Sequence, residues 1–166
     1  MTAPDARQRE HALDPERSFI VQAPAGSGKT ELLIQRCLTL LCRVNEPEAI
    51  IAITFTRKAA GEMRRRVMTA LQNSAGRRPD KPHEALTWDL ACRVRERNES
   101  LGWDLFRNPG RLRIQTIDSL CASLTRQMPW LSRLGGPPDI VEAEEELYAE
   151  AALRTIDLLE RKEWSA

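Results

Sequence analysis

Ala23-Pro24-Ala25-Gly26-Ser27-Gly28-Lys29-Thr30 lies between an apolar run, Phe19-Ile20-Val21, and a helical pattern that begins near Glu31. A loop of the form G-x-x-x-x-G-K-S/T, entered from a strand and left by a helix, is a phosphate cradle. Gly28, Lys29 and Thr30 fit that form, and Ala23 stands where the first glycine would be. Gly26 and Gly28 let the backbone curl so that successive N–H groups converge on one concavity. The helix N-terminus adds partial positive charge, so a polyphosphate can settle there. Lys29 is then placed to reach the β- and γ-phosphates, and the Thr30 hydroxyl to sit on a magnesium ion shared with them. A Gly-Ser turn that merely caps a helix is the simpler alternative, but it leaves the Lys-Thr pair and the preceding apolar run without a reason.

The chain has 166 residues, 42% of them hydrophobic, which suits one domain with a real core. No stretch approaches the roughly 20 apolar residues of a membrane span, and the N-terminus lacks a basic region followed by an apolar one. A soluble, cytoplasmic chain without a membrane partner is expected. The four cysteines, Cys37, Cys42, Cys92 and Cys121, show no C-x-x-C spacing and fall within helical patterns, as reduced, buried thiols do. His11 and His83 stand apart from them, so no metal site built from protein ligands is expected. The net charge of +1 hides an uneven distribution. From Arg57 to Arg113 basic residues outnumber acidic ones roughly two to one, whereas Asp139 to Glu160 is mainly acidic. A basic middle with the run Arg64-Arg65-Arg66 is compatible with nucleic acid and equally with a solvated helix face.

Taken in order, Asp5 to Leu13 reads as a short helix, and Phe19 to Val21 as the strand that delivers the loop. Thr30 to Arg43 reads as a helix whose Leu33, Cys37, Leu40 and Leu41 pack on a sheet. Ile50 to Phe55 is a continuous apolar run, the pattern of a strand buried on both faces of a parallel sheet. A second helix is predicted over Lys58 to Leu71, with Ala60, Met63, Val67, Ala70 and Leu71 inward and the arginine triplet largely outside. Asn73 to Pro82 is a loop; Glu84 to Asn98 is a helix carrying Leu86, Leu90 and Val94. A short strand over Leu112 to Thr116, a helix over Asp118 to Gln127, a loop through Pro129 and Pro138, and a helix from Glu142 to Arg161 follow. Leu147, Tyr148, Ala151, Ala152, Leu158 and Leu159 form the inward face of that last helix. Trp88, Trp103, Phe106 and Trp130 read as core or interface residues.

The segment Ile53-Thr54-Phe55-Thr56-Arg57-Lys58-Ala59-Ala60-Gly61-Glu62-Met63 resembles the motif that follows the phosphate loop in superfamily 1 helicases of the UvrD, Rep and RecB/AddA type. Thr116-Ile117-Asp118-Ser119-Leu120 resembles their T-x-x-S-F element, and Gln8-Arg9-Glu10 their glutamine motif. The blocks stand in the family's order across the first 125 residues or so. The wording of the loop and of the region after Cys121 most resembles the AddA/RecB branch, the helicase-nucleases of double-strand-break repair. The resemblance implies an α/β fold: the first RecA-like motor domain of a P-loop NTPase, here an incomplete parallel sheet flanked by helices, with a mostly helical C-terminal part. Residues 1–125 would belong to the ATP-binding motor domain, with a helical excursion over about 73–110, and 126–166 would begin a helical inserted subdomain.

On that resemblance, ATP and Mg2+ are the cofactors, held by Gln8, Ala23, Pro24, Ala25, Gly26, Ser27, Gly28, Lys29 and Thr30. Lys29 and Thr30 would carry the catalytic contacts, and Thr30 would hold the metal. The Gln8 amide can both donate to and accept from an adenine edge. Single-stranded DNA is the expected partner. Phe55, at a strand end, is placed either for a base to stack on it or in an ordinary core. Thr56, Arg57, Thr116 and Ser119 offer groups for phosphate contacts. The family's usual asparagine is Arg57 here and its histidine is Asp118, whose charge would repel DNA. A partner subunit of a helicase-nuclease complex is a further implication.

Hydrolysis in a phosphate-loop motor also needs an acidic metal ligand on a second strand, a water-activating carboxylate and an arginine from a second domain. The one acidic cluster, Glu142 to Glu146, follows just Ile140 and Val141 and reads as a helix start. The expectation is therefore the N-terminal part of a longer 3′–5′ DNA helicase of repair or recombination, unable to turn over ATP alone. It would be a gene fragment, a truncated product or an excised piece. A small phosphate-loop metabolite kinase and a non-catalytic nucleotide- or DNA-binding fragment are the alternatives.

Overall fold

The computed structural model describes residues 5–24, 26–127 and 144–160. Ala25, Trp130, Glu142 and the Pro129–Pro138 loop lie outside these, as do the side chains of Leu158 and Leu159. The chain divides into two units, Met1–Ala122 and Ser123–Ala166.

In the first unit, α1 (Ala6–His11) precedes the loop and α2 (Lys29–Leu41) leaves it, with Glu31 in its first turn, where a carboxylate suits the helix dipole. Next come a 3-10 turn (Pro47–Ala49), β1 (Ile51–Thr54), α3 (Arg57–Asn73) and α4 (Pro82–Ser100). A second 3-10 turn (Pro109–Arg111) and β2 (Arg113–Thr116) follow, then α5 (Ile117–Gln127), which begins in this unit and runs past its last residue, Ala122. The strands form a two-stranded parallel sheet in which Ile51 pairs with Arg113 and Thr54 with Thr116. Helices therefore fill the crossover between two parallel strands, as such a connection requires. α3 starts where it does because the Thr56 hydroxyl accepts the Ala59 N–H at 3.1 Å, an N-cap. Pro82 opens α4, where its missing N–H costs nothing.

The core is built from one face each of α2, α3 and α4 closing on β2. Ile34, Leu38 and Leu41 meet Ala60, Val67 and Leu71, then Leu90, Ala91 and Val94, with Trp103, Leu105, Leu112 and Ile114 beneath. Truncating any of these large residues to alanine costs about 2–5 kcal/mol. Trp103 is fixed by its indole N–H, which donates to the Asn45 carbonyl at 2.7 Å, and by the Arg97 guanidinium over its ring. The buried Asn98 is satisfied because its side-chain oxygen accepts the Leu105 N–H at 2.9 Å.

Several expectations need correction. Phe19 to Val21 carries no strand, and Ile20 is 100% exposed. Apolar β-branched residues form strands when a neighbouring strand or covering layer receives them, and no described residue does so here. The β1 run is not buried on both faces, since Ile51 and Ile53 are 43% and 52% exposed. α3 covers the face of β2 that holds Ile114 and Thr116, and the register puts Ala52 and Thr54 on that same face. On α2 the inward stripe is Ile34, Cys37, Leu38 and Leu41, while Leu33 is half exposed, because α3 and α4 rather than a broad sheet receive the helix. Leu86 and Phe106 are exposed beside the buried Leu90 and Trp103. Cys37 is buried, but Cys121 is exposed.

In the second unit, α6 (Glu145–Glu160) is helical as its pattern indicates. Its Leu147, Tyr148, Ala151 and Ala152 are exposed rather than inward. No helix among the described residues is long and apolar enough to cross a membrane.

Candidate nucleotide site and strand-end residues

The loop turns through two left-handed glycines, Gly26 at φ +77° and Gly28 at φ +81°, conformations that cost a side-chain-bearing residue strain. Gly28 is the N-cap of α2, so Lys29 and Thr30 occupy its first turn. The Lys29 ammonium donates to the carbonyl oxygens of Ala23 and Pro24, each at 2.6 Å, and so closes the loop on itself. The Ser27 hydroxyl is buried and has no hydrogen-bond partner among the described residues. Thr30 is exposed at the helix mouth.

Beside the loop lies an open cleft of about 330 Å³, lined by Gln8 on one side, by Ala23, Ser27 and Lys29 on the other, and by Phe19 and Leu32. Gln8 and the loop are thus brought to one cavity. A polyphosphate fits this donor set. It would offer acceptors to Lys29 and to the orphaned Ser27 hydroxyl, and the helix N-terminus faces it with partial positive charge. Among the described residues the only carboxylate lining the cleft is Asp5, and it is engaged by Arg9 at 2.8 Å.

Three further residues, Arg9 at the cleft and Arg36 and Gln35 on α2, make contacts to which the sequence reading assigned no role. Arg36 on α2 donates to the carbonyls of Ala12 at 2.8 Å, Asp14 at 3.0 Å and Arg17 at 2.8 Å, and lies over the Phe19 ring. It therefore ties the segment after α1 to the helix that leaves the loop. Gln35, buried on α2, donates to Thr87 Oγ1 at 3.0 Å and to the His83 carbonyl at 3.1 Å, and Thr87 donates to Glu31 at 2.5 Å. That chain fixes the first turns of α2 against α4. Arg9 donates to the Ser27 carbonyl. Only the i,i+4 spacing of Asp5 and Arg9 signalled any of this.

At the strand ends, the parallel register brings the residues after β1 and the end of β2 to one edge. Phe55 is 90% exposed there, followed by the exposed Thr56 and Arg57. Thr56 also caps α3. Thr116 is buried, its hydroxyl 2.8 Å from that of the exposed Ser119, whose N–H it also accepts at 3.2 Å. Asp118 is exposed in the first turn of α5. The arginine run divides. Arg64 reaches inward to the Ile114 carbonyl, while Arg65 and Arg66 hold Glu62 at 2.8 and 2.6 Å and keep its carboxyl below the usual carboxylate range. Among the described residues no group of three or more His, Cys, Asp or Glu side chains is gathered so that it could hold a metal ion.

Residues 5–163 match the UvrD/REP helicase N-terminal domain. DNA helicase II of Salmonella typhimurium is 45% identical over 71 residues, which is 42% of this chain and 10% of that protein. An ATP-dependent helicase/nuclease subunit from Desulforudis audaxviator is 32% identical over 151 residues, covering 87% of this chain and 10% of the relative. Its counterpart from Pelotomaculum thermopropionicum is 33% identical over 147 residues, covering 85% and 10%. No solved structure matches. The chain spans about a tenth of the length of these curated relatives. With the family match running over nearly all of its residues, the chain belongs to the UvrD/REP helicases and corresponds to their N-terminal domain.

Proposed function

We propose that the chain is the ATP-binding N-terminal segment of an ATP-dependent 3′–5′ DNA helicase of the UvrD/AddA type, acting in repair or recombination. Its fold is read as the beginning of a RecA-like motor domain over residues 1–125, with 126–166 opening a helical inserted subdomain. The observation that carries the reading is the single cleft shared by Gln8 and the loop that bears Lys29. An adenine edge and a triphosphate can be held at once there. Gln8 would read the base, the loop and Lys29 would hold the phosphates, and Thr30 would hold the magnesium ion, which neutralises charge between the β- and γ-phosphates.

Single-stranded DNA is proposed to run past the strand ends, with a base on Phe55 and phosphates near Thr56, Arg57 and Ser119. The names of the relatives support a helicase-nuclease setting, in which a partner subunit would join the complete protein. The cleft's one described carboxylate is bound to Arg9, so the chain alone is proposed to bind MgATP at best weakly and to hydrolyse it negligibly.

The test titrates MgATP and MgGTP against the wild type and Gln8→Ala, beside a phosphate-release assay with and without single-stranded DNA. A preference for ATP that disappears in Gln8→Ala is expected. Equal binding of both nucleotides by the wild type overturns the adenine reading. DNA-stimulated turnover near the roughly 10 s⁻¹ of a median enzyme, lost in Lys29→Ala, overturns the claim of negligible hydrolysis.

A further inference from the structure

Arg9 projects from α1 onto the loop. Its Nε holds Asp5 Oδ2 at 2.8 Å, and its Nη2 donates to the Ser27 carbonyl. The guanidinium lies so close to Gly28 that a Cβ built there would come within 3.3 Å of Nη1. We propose that Arg9, held by Asp5, is a positioning residue of the phosphate loop, gripping the Ser27 carbonyl and so fixing the direction of the Gly28 N–H.

The peptide plane supplies the reason. Across a trans peptide the carbonyl of Ser27 and the N–H of Gly28 point in opposite directions, so anchoring one commits the other. Glycine at position 28 makes the opposite orientation of that peptide cheap, because positive and negative φ are nearly equal for it. Something outside the loop must therefore choose. A wrong choice would aim a carbonyl oxygen at a phosphate where an N–H donor belongs. A charge-assisted bond from a guanidinium is strong enough to choose, and the planar fork can hold Asp5 and the Ser27 carbonyl at once, which an ammonium does less well. The clamp also has a fixed mount, since Arg36 pins the carbonyls of Ala12 and Asp14 to α2. It rests on the reading of Ala23 to Thr30 as a phosphate site.

The experiment measures binding of magnesium tripolyphosphate and MgATP by calorimetry to the whole chain, with thermal midpoints recorded for each variant. Arg9→Ala is expected to weaken tripolyphosphate roughly five- to tenfold, and Arg9→Lys to recover part of the loss. Asp5→Asn is expected to weaken it about two- to threefold when Arg9 is present and not at all in the Arg9→Ala background. Asp5→Asn is nearly isosteric, so it carries the test even where Arg9→Ala lowers stability. A loss of tripolyphosphate affinity in Asp5→Asn with an unchanged thermal midpoint is the signal that a general packing role would not give. Lys29→Ala separates the two readings. Loss of binding in Lys29→Ala with none in Arg9→Ala overturns the clamp and leaves the phosphate loop standing; no loss in either overturns both. Tighter binding by Asp5→Asn would make Arg9 a direct phosphate ligand and overturn the positioning role.

Discussion

The Lys29 ammonium lies 2.6 Å from the carbonyl oxygen of Ala23, so the side chain proposed to hold a phosphate is held by the loop's own backbone. A second bond of the same length to the Pro24 carbonyl completes the closure. On the proposed function, phosphates entering the loop would replace these ammonium–carbonyl contacts with ammonium–phosphate ones, so the gain is a difference. Lys29→Ala should accordingly weaken MgATP toward the lower end of the roughly 1.5–3 kcal/mol typical of a charged hydrogen bond, or about tenfold. Titration of a fluorescent ATP analogue into both proteins checks this, and equal affinities would falsify the phosphate-loop reading.

Phe55 is a large apolar side chain left 90% exposed at the end of a strand. Removing it costs the fold little, because it buries little. If a base stacks on it, Phe55→Ala should weaken single-stranded DNA by about 1–3 kcal/mol with an unchanged thermal midpoint. Binding should also fall as salt rises, since on that reading the neighbouring Arg57 would neutralise a phosphate. Anisotropy titrations at two salt concentrations decide it; a preference for duplex, or salt-independent affinity, counts against this strand end as the DNA path.

What the sequence made legible was local. The Gly-x-Gly-Lys-Thr spacing foretold a loop between left-handed glycines leading into α2. The 3.6-residue stripe of Ala60, Val67 and Leu71 foretold α3 almost to its ends, though not the Thr56 cap that starts it. The failures were tertiary. Phe19 to Val21 and Ile51 to Ile53 have strand composition, but how far such residues are covered depends on layers that their own pattern does not specify. Leu33 was misjudged for the same reason, since the partners of α2 are helices. In the candidate site, Gln8 and Lys29 were legible as motifs. The framing roles of Arg9 and Arg36 were not, because both act on backbone carbonyls distant in sequence, and any chain offers such acceptors at every residue.

The cysteines differ in reactivity for a physical reason. Burial pushes the Cys37 thiol up to about 11, and raises Cys42 and Cys92 as well, whereas Cys121 is exposed on α5. The thiolate is the reactive form, so at pH 8 Cys37 should be inert in the native protein. Labelling with a chromogenic disulfide reagent followed by mass mapping should find Cys121 modified first and Cys37 modified only in denaturant. Early modification of Cys37 would mean that the α2 face of the core opens readily.

Arg111 links the two turns that precede the strands. It donates to Glu48 through Nε at 2.5 Å and Nη2 at 3.0 Å, and to the Trp103 carbonyl through Nη1 at 2.8 Å. Chiefly through that hydrogen bonding, the guanidinium holds the Glu48 carboxyl below its ordinary value of 4.5. The folded state thus binds the Glu48 proton less readily than the unfolded chain. The resulting stability is fully present above the ordinary carboxylate range and is lost as pH falls through the depressed value. The contribution is modest, because both side chains keep about a third of their surface in solvent. Glu48→Gln should therefore lower the urea midpoint slightly at pH 7, and the wild-type advantage should shrink on acidification from pH 5 toward pH 3. Midpoints measured across that range check it: an advantage that persists undiminished at pH 3 would mean that the charge on Glu48 contributes nothing and that the pair holds the strand entries together by packing alone.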